Sequence, residues 1–393
     1  MQPRTACSRK IAGRRGAPYR GRVARSRDQD ACPGALTLHQ AADGAVARVR
    51  LPGGMLTAEQ LGGLAQAATG FGSGTLELTA RGNIQLRGIT DTSAVADAVA
   101  ATGLLPSASH ERVRNIVTSP LSGRVGGLAD VRAWVGDLDA RIQANPALAG
   151  LPGRFWFSID DGRADVSGLS ADVGVHVLGD SVALLLAGRD TGVRLDPADA
   201  TAALAAVAAR FLDIRGQAWR VSELADPVEL VKDFSPTAPA GATFAPVTRG
   251  PVGWIEQDDG AVSLGAAVPL GVLQARPAEY LAAINAPLVV TPWRSVLVCD
   301  LDEGVADVAL RVLAPMGLVF DDNSPWLDVS ACVGSPGCER SAADVRADAA
   351  QATGTAAGHH RHFVGCERAC GSPAAGAVLV ATGEGYELRR AHP

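Results

Sequence analysis

A chain of 393 residues, 47% hydrophobic and 20% charged, has the material for about two or three packed domains, which excludes wholesale disorder. Its longest apolar runs, 181–188 and 201–209, fall well short of the ~18 residues that a membrane-spanning helix needs. A net charge of −5 excludes a general nucleic-acid binder, so neither a membrane nor a nucleic acid is an expected partner.

Residues 1–30 read as a disordered basic tail, in which nine Arg and Lys side chains outnumber Asp28 and Asp30. The tail has no apolar stretch of the kind a secretory signal requires, and a cytoplasmic protein is expected. Strand-like runs follow at 35–40 and 46–51. Thr57 with Gln60 forms a capping-box pattern for a helix carrying Leu61 and Leu64 on one face. Strands are expected at 75–80 and 84–89, then a helix over 92–102 with Gly103 as its stop. Beyond these come a helix at 128–144, strands near 155–160, 173–178 and 182–187, and an Ala-rich helix at 198–212. Residues 234–251 are rich in Pro and Gly and read as an extended linker. The second half runs through strands at 253–257 and 262–267, a helix at 276–285, strands at 287–291 and 296–300, and a helix at 303–313 stopped by Gly317.

The order of elements repeats, and so do fragments of sequence. Asp43-Gly44-Ala45-Val46 recurs at Asp259–Val262, Thr79 at Thr291, Ser119-Pro120 at Ser335-Pro336, and Asp130-Val131-Arg132 at Asp344–Arg346. Four matches in one order at a near-constant offset imply a duplicated α+β unit with helices on one face of each sheet.

Seven cysteines, an odd number in a large chain without a signal segment, do not suggest a disulfide framework. Four of them cluster as Cys332-x5-Cys338 and Cys366-x3-Cys370. Two close pairs of thiolates can give one ligand to each iron of a [4Fe–4S] cube. The competing readings are structural zinc, which usually uses C-x2-C knuckles, and four unrelated buried thiols. Cys7 reads as a tail thiol, and Cys32 and Cys299 as ordinary buried ones.

On this cysteine pattern and the duplicated α+β chain, residues 31–393 resemble the sulfite/nitrite reductase superfamily. In length and in the Asp30-Ala-Cys-Pro-Gly34 opening they are most similar to its precorrin-3B-forming branch. The resemblance implies a ferredoxin-like half-domain at 31–104, a larger reductase-like α+β domain at 105–233, and the linker at 234–251. A second half-domain follows at 252–301 and an iron–sulfur domain at 302–393. It implies that Cys332, Cys338, Cys366 and Cys370 hold a [4Fe–4S] cluster, the last one being able to bridge to sirohaem iron. The implied activity is oxygen-dependent hydroxylation and γ-lactone formation on precorrin-3A in aerobic cobalamin biosynthesis. The partners would be a tetrapyrrole, O2, and an external electron donor, either NAD(P)H acting through a reductase or a ferredoxin. A monomer is expected. The alternative is a sirohaem-dependent assimilatory sulfite or nitrite reductase, and only that reading calls for sirohaem.

The first copy has no cysteines at the matching place. It carries Arg81 and Arg87 in Thr79-Ala-Arg-Gly-Asn-Ile-Gln-Leu-Arg87, Arg114 and Asn115 after Val113, and Arg154 in Leu151-Pro-Gly-Arg-Phe-Trp156. The second-copy equivalents of Arg81 and Arg114 are expected at Trp293 and Ser330. A polycarboxylated tetrapyrrole suits guanidinium forks, so these five residues are the expected substrate contacts. The ordinary role for any one arginine is a solvated surface charge, and an exposed one contributes little. In the reductases the stretch matching 151–156 supplies two lysines to the bound anion; here those places hold Arg154 and Trp156. Losing the second cation weakens a small-anion reductase reading.

His359, His360 and His362 precede Cys366. With Asp321, Asp322 or Asp328 they could form the two-His, one-carboxylate set of a mononuclear non-haem iron, which the resemblance also implies. Loop and strand packing are the plainer roles. His110 lies close to Arg114 and is a pocket candidate, whereas His39 and His176 read as strand positions. No catalytic residue is identifiable from the sequence.

Overall fold

The computed structural model describes residues 30, 32–355 and 358–390; the basic tail apart from Asp30, and Cys7 within it, lie outside the described residues. Among the described residues no helix is long and apolar enough to cross a membrane.

The first copy opens with β1 (His39–Ala41), β2 (Gly44–Val49), β3 (Met55–Leu56), α1 (Ala58–Phe71), β4 (Thr75–Leu78), β5 (Ile84–Ile89) and α2 (Thr92–Ala101). It continues through β6 (Ile116–Thr118), α3 (Arg132–Ala144), β7 (Phe157–Asp160), β8 (Val173–Val177), β9 (Val182–Leu186), β10 (Arg189–Leu195) and α4 (Ala200–Ile214). The second copy runs β11 (Gly253–Glu256), β12 (Val262–Ala267), β13 (Val272–Gln274), α5 (Ala275–Ala283), β14 (Leu288–Val290), β15 (Ser295–Leu301) and α6 (Glu303–Leu313). It ends with β16 (Val329–Ala331), α7 (Val345–Ala352), β17 (Arg361–Val364), β18 (Ala377–Ala381) and β19 (Tyr386–Arg390). This is the duplicated α+β architecture expected from the repeats.

The elements follow local chemistry. The Thr57–Gln60 capping box forms at the start of α1, with both reciprocal bonds present. Asp91 caps α2 by accepting from the N–H groups of Ser93 and Ala94. Gly103 and Gly317 take left-handed backbone beyond α2 and α6. The expected strand at 35–40 begins only at His39, because Gly34 N–H closes a turn on Thr37 O and the Glu111 carboxylate takes the N–H groups of Leu36 and Thr37. The helix expected from Leu128 starts at Arg132, since Leu128 N–H is taken by Asp161 O.

Two short strands, unforeseen from the sequence, tie the copies together. β3 of the first copy pairs antiparallel with β14 of the second, and β13 of the second with β4 of the first. The resulting sheets have the orders β1-β2-β5-β4-β13 and β11-β12-β15-β14-β3. A single hydrophobic core runs through both half-domains, from Leu61, Leu64 and Ile84 to Leu264, Leu281 and Val298. It also takes in Ala306, Ala309 and Leu313 of α6 together with Leu318, so the second half-domain extends past residue 301 to about 320.

The two larger sheets are β10-β9-β8-β7-β6 and β16-β17-β18-β19. In each, the first three strands of the chain run parallel and the next is antiparallel. β8 and β9 are buried along their whole length and, His176 apart, apolar, as strands covered on both faces must be. The 234–251 segment is not a free tether: Thr243 and Pro236 form bridges to Arg189 and Val193 on the β10 edge. Parallel strands deliver their C-terminal loops to one edge, and the site lies on such loops.

Candidate functional site

Cys332 follows β16, and Cys366 and Cys370 lie in the loop after β17, its parallel neighbour. All four clustered cysteines are free thiols. Gly365 N–H donates to Cys332 Sγ at 3.3 Å. Burial pushes the Cys332 thiol up, and the nearby thiols of Cys338 and Cys366 push the same way. Cys370 is raised by the protein around it and then by Cys332 and Cys366, while the Arg154 charge opposes this. Gly334 has φ +70°, and a Cβ there would sit 2.7 Å from Val345 Cγ2 on α7, so the first cysteine loop packs at a distance only glycine permits. Among the described residues, no three His, Cys, Asp or Glu side chains converge as ligands of a single ion would. A [4Fe–4S] cube asks for a different arrangement, with one thiolate on each of four separate irons. Four free thiols on two glycine-lined loops, with Cys332 within electrostatic reach of the other three, fit that donor set.

A group of guanidinium ions lies on the first copy. Arg50 is 1% exposed, and its Nη1 has no hydrogen-bond partner among the described residues. Burial first, then the charge of Arg48, lowers its pKa to about 9. Arg81 is lowered to about 10 by burial and then by Arg220, and stands 5.8 Å above the Trp156 ring. Arg154 stands 5.2 Å above the Trp219 ring. Among the described residues none of Arg48, Arg50, Arg81 and Arg154 has a carboxylate within ion-pair distance. Trp156 is buried with Nε1 unpartnered, so a further donor stands in this group without an acceptor. Cys32 packs among these cations, 3.0 Å from Arg48 Nη1 and 3.7 Å from Arg50 Nη2. Sequence reasoning passed over Arg48 and Arg50, and read Cys32 as an ordinary buried thiol, whereas it is half-buried among cations. The available signal was two arginines on one face of an otherwise apolar strand; the hairpin register puts Gly265 and Ala267 at their places in the second copy.

The other expected contacts are committed elsewhere. Arg87 forks onto Asp43 and donates to Gly337 O at 3.0 Å, so it anchors the Cys332–Cys338 loop to the first half-domain. Arg114 forks onto Asp139 at 2.7 and 2.8 Å, and both side chains are largely buried. Asn115 is buried and donates to Arg112 O, Gly153 O and Phe155 O, accepting from Asn83. These are scaffold contacts, and only Arg81 and Arg154 of the five stand in the guanidinium group. The strand register pairs Arg114 with Leu327 in the second copy, not Ser330, because Thr118 and Ala331 occupy matching ladder positions.

His359 is exposed, and His110, His360 and His362 make packing contacts. His362 is fully buried, with Nδ1 against Ser330 Oγ at 2.8 Å and Nε2 donating to Cys370 O at 2.9 Å. Burial and then the charge of Arg294 lower its pKa to about 3, so it is neutral across the working range. His360 bonds Ser330 and Leu327 O, and Asp328 is held by Arg249. His110 bonds Ser107, Ser109 and Asn145 O.

In the first copy the ladder register puts Ser119 at the place of Cys332, so the expected match of Ser119-Pro120 with Ser335-Pro336 does not hold in the structure; the Ser119 hydroxyl donates to Asp165 at 2.6 Å. Burial, with the charge of Asp160 beside it, raises the pKa of Asp165 to about 7. Between the ordinary value of 3.8 and about 7, the folded chain therefore holds a proton that the unfolded chain has lost. Stability must fall as pH rises through that window, by roughly 4 kcal/mol. Asp165→Asn should flatten that part of the profile and be the more stable protein at pH 8, as checked by urea unfolding at pH 5 and 8.

Comparison with known proteins places the chain. Residues 39–101 match the nitrite/sulfite reductase ferredoxin-like half domain. The chain is 27% identical to a precorrin-3B synthase from Sinorhizobium over 98% of its own length and 86% of that protein. It is 35% identical to a ferredoxin–nitrite reductase from Synechococcus elongatus over 30% of the chain, which spans only 25% of that relative. The structure of Mycobacterium tuberculosis NirA superposes with a TM-score of 0.73 at 20% identity, over 88% of this chain and 74% of that one.

Proposed function

With the chain standing in the sulfite/nitrite reductase superfamily, we propose that it is an iron–sulfur monooxygenase forming precorrin-3B from precorrin-3A. One oxygen atom of O2 enters the macrocycle, which closes a γ-lactone. The other atom leaves as water, with two electrons and two protons from an external donor system, NAD(P)H through a reductase or a ferredoxin. Kinship with a precorrin-3B synthase over nearly the whole chain supports the substrate, whereas the kinship with nitrite reductases is confined to a quarter of their length.

The observation that carries this reading is a set of guanidinium groups without carboxylate partners next to four free thiols. Arg154 belongs to both, standing on Trp219 while its charge reaches Cys370. Cations without carboxylate partners among the described residues, with two buried donors, Arg50 Nη1 and Trp156 Nε1, that lack acceptors, are suited to carboxylates on the rim of a tetrapyrrole. Arg50 would present Nη1, Trp156 its Nε1 proton, and Arg81 and Arg154 their forks, while Arg48, whose fork is held by Gln85 Oε1, adds its charge. Cys332, Cys338, Cys366 and Cys370 would hold the [4Fe–4S] cluster, which when bound supplies single electrons.

The test is spectroscopic and isotopic. Protein purified without oxygen, from a host able to make sirohaem, should show a broad iron–sulfur envelope, iron and sulfide, and no sharp sirohaem bands. Turnover of precorrin-3A under isotopically heavy O2 should put one labelled atom in the product. Sharp sirohaem bands with sulfite or nitrite turnover would replace this function with the reductase.

A further inference from the structure

The hairpins β4–β5 and β14–β15 close with the same turn: Thr79 N–H donates to Asn83 O, and Thr291 N–H to Ser295 O, each at 2.9 Å. Both turns need one residue in left-handed backbone. The first copy uses Gly82, at φ +65°; the second uses Arg294, at φ +60°. Glycine takes that conformation freely, and an arginine is strained in it. The turn does not require a side chain, since the first copy makes it without one. Residues held against their backbone preference point to a role for the side chain.

That side chain reaches the cysteine loops. Arg294 Nη2 donates to Gly371 O at 3.0 Å, immediately after Cys370. Its guanidinium feels the Cys332 thiol, and its charge acts on His362. Burial first, and the Arg346 cation second, lower its pKa to about 10, so it remains charged at neutral pH. Among the described residues no carboxylate lies within ion-pair distance of it: Glu77, the nearest acid whose charge it feels, is bound by Arg346 at 2.6 Å. Among the described residues Arg294 is thus a cation without an anion of its own, set against the Cys332 thiol and the backbone that follows Cys370.

We propose that Arg294 acts through the iron–sulfur cluster, its positive charge favouring the reduced form and so raising the cluster's reduction potential. The inference rests on the reading that the four cysteines hold a cluster. Reduction adds one electron, drawn from the external donor, and makes the cluster more negative. A fixed cation nearby stabilises that state by Coulomb attraction, and more strongly where water is excluded.

The experiment is an EPR-monitored redox titration of the full, cluster-bearing chain, parent against Arg294→Gly, Arg294→Gln and Arg294→Lys. The glycine variant restores the residue that the first copy uses, so it should keep its iron and sulfide and melt no lower than the parent. At a fixed ambient potential its ratio of reduced to oxidised cluster should fall about tenfold, a downward shift of about 59 mV for one electron. The lysine variant, which keeps the charge, should lie nearer the parent. A glycine variant with full cluster and an unchanged ratio would overturn the proposal. So would a glutamine variant that keeps the N–H donor to Gly371 O and titrates like the parent while the glycine variant loses its cluster, for Arg294 would then be a loop anchor alone. A parent without iron and sulfide would instead overturn the cluster reading itself.

Discussion

Cys332→Ser is expected to bring the iron and sulfide content of the protein to background and to abolish turnover. Cys332 is the thiol most fully woven into the loops: it sits at the end of β16, accepts the Gly365 N–H, and feels Cys338 and Cys366. Serine keeps the hydrogen bond but is a hard oxygen donor with a far higher pKa, and iron–sulfur assembly depends on thiolate. Disturbing an outer partner of a metal ligand costs roughly 10–100-fold, and loss of a ligand should exceed that. The matched control is Cys299→Ser. Cys299 is buried beside Leu121, Val289 and Leu297, in a cluster that contains none of the four thiols. It should retain the parent's iron, sulfide and absorption envelope. Full iron in Cys332→Ser would refute the ligand assignment, and iron loss in both variants would point to a folding defect instead.

The second large effect separates two arginines that look alike in the sequence. Arg81→Gln should weaken binding of a polycarboxylated tetrapyrrole by roughly 10–100-fold, the worth of a hydrogen bond to a charged group, while iron content and melting temperature stay near the parent's. Its guanidinium has no carboxylate partner within ion-pair distance among the described residues and rests on Trp156, so the free protein loses little when it goes. Arg114→Met should do the reverse. It breaks a largely buried bidentate pair and leaves Asp139 without its cation, at about 3–5 kcal/mol of stability. Uroporphyrin serves as a stable binding probe, read by fluorescence quenching at several salt concentrations. Equal affinity in Arg81→Gln and the parent would remove Arg81 from the site; a stable Arg114→Met with weakened binding would return Arg114 to it.

The duplication, the two cysteine pairs and most of the helices and strands were legible in the sequence. These are local or periodic properties: a capping box at Thr57–Gln60, the strand-like runs that become β2 and β12, a cysteine spacing that stands out by itself. The assignment of α6 to the shared core was not legible, nor was the exchange of β3 and β13, because strands of two and three residues carry no periodicity of their own and exist only by pairing with the other copy. For the arginines, sequence determined which cations are present and tertiary structure decided which are free. Arg87 and Arg114 stand in the same kind of motif as Arg81, yet Asp43 and Asp139, 44 and 25 residues away, claim them. Among the described residues Arg50 and Arg81 meet no such acid, and their charge remains available for a ligand. A guanidinium's role is set by the nearest anion in space, and a linear spacing does not reveal where a carboxylate distant in the chain will fold.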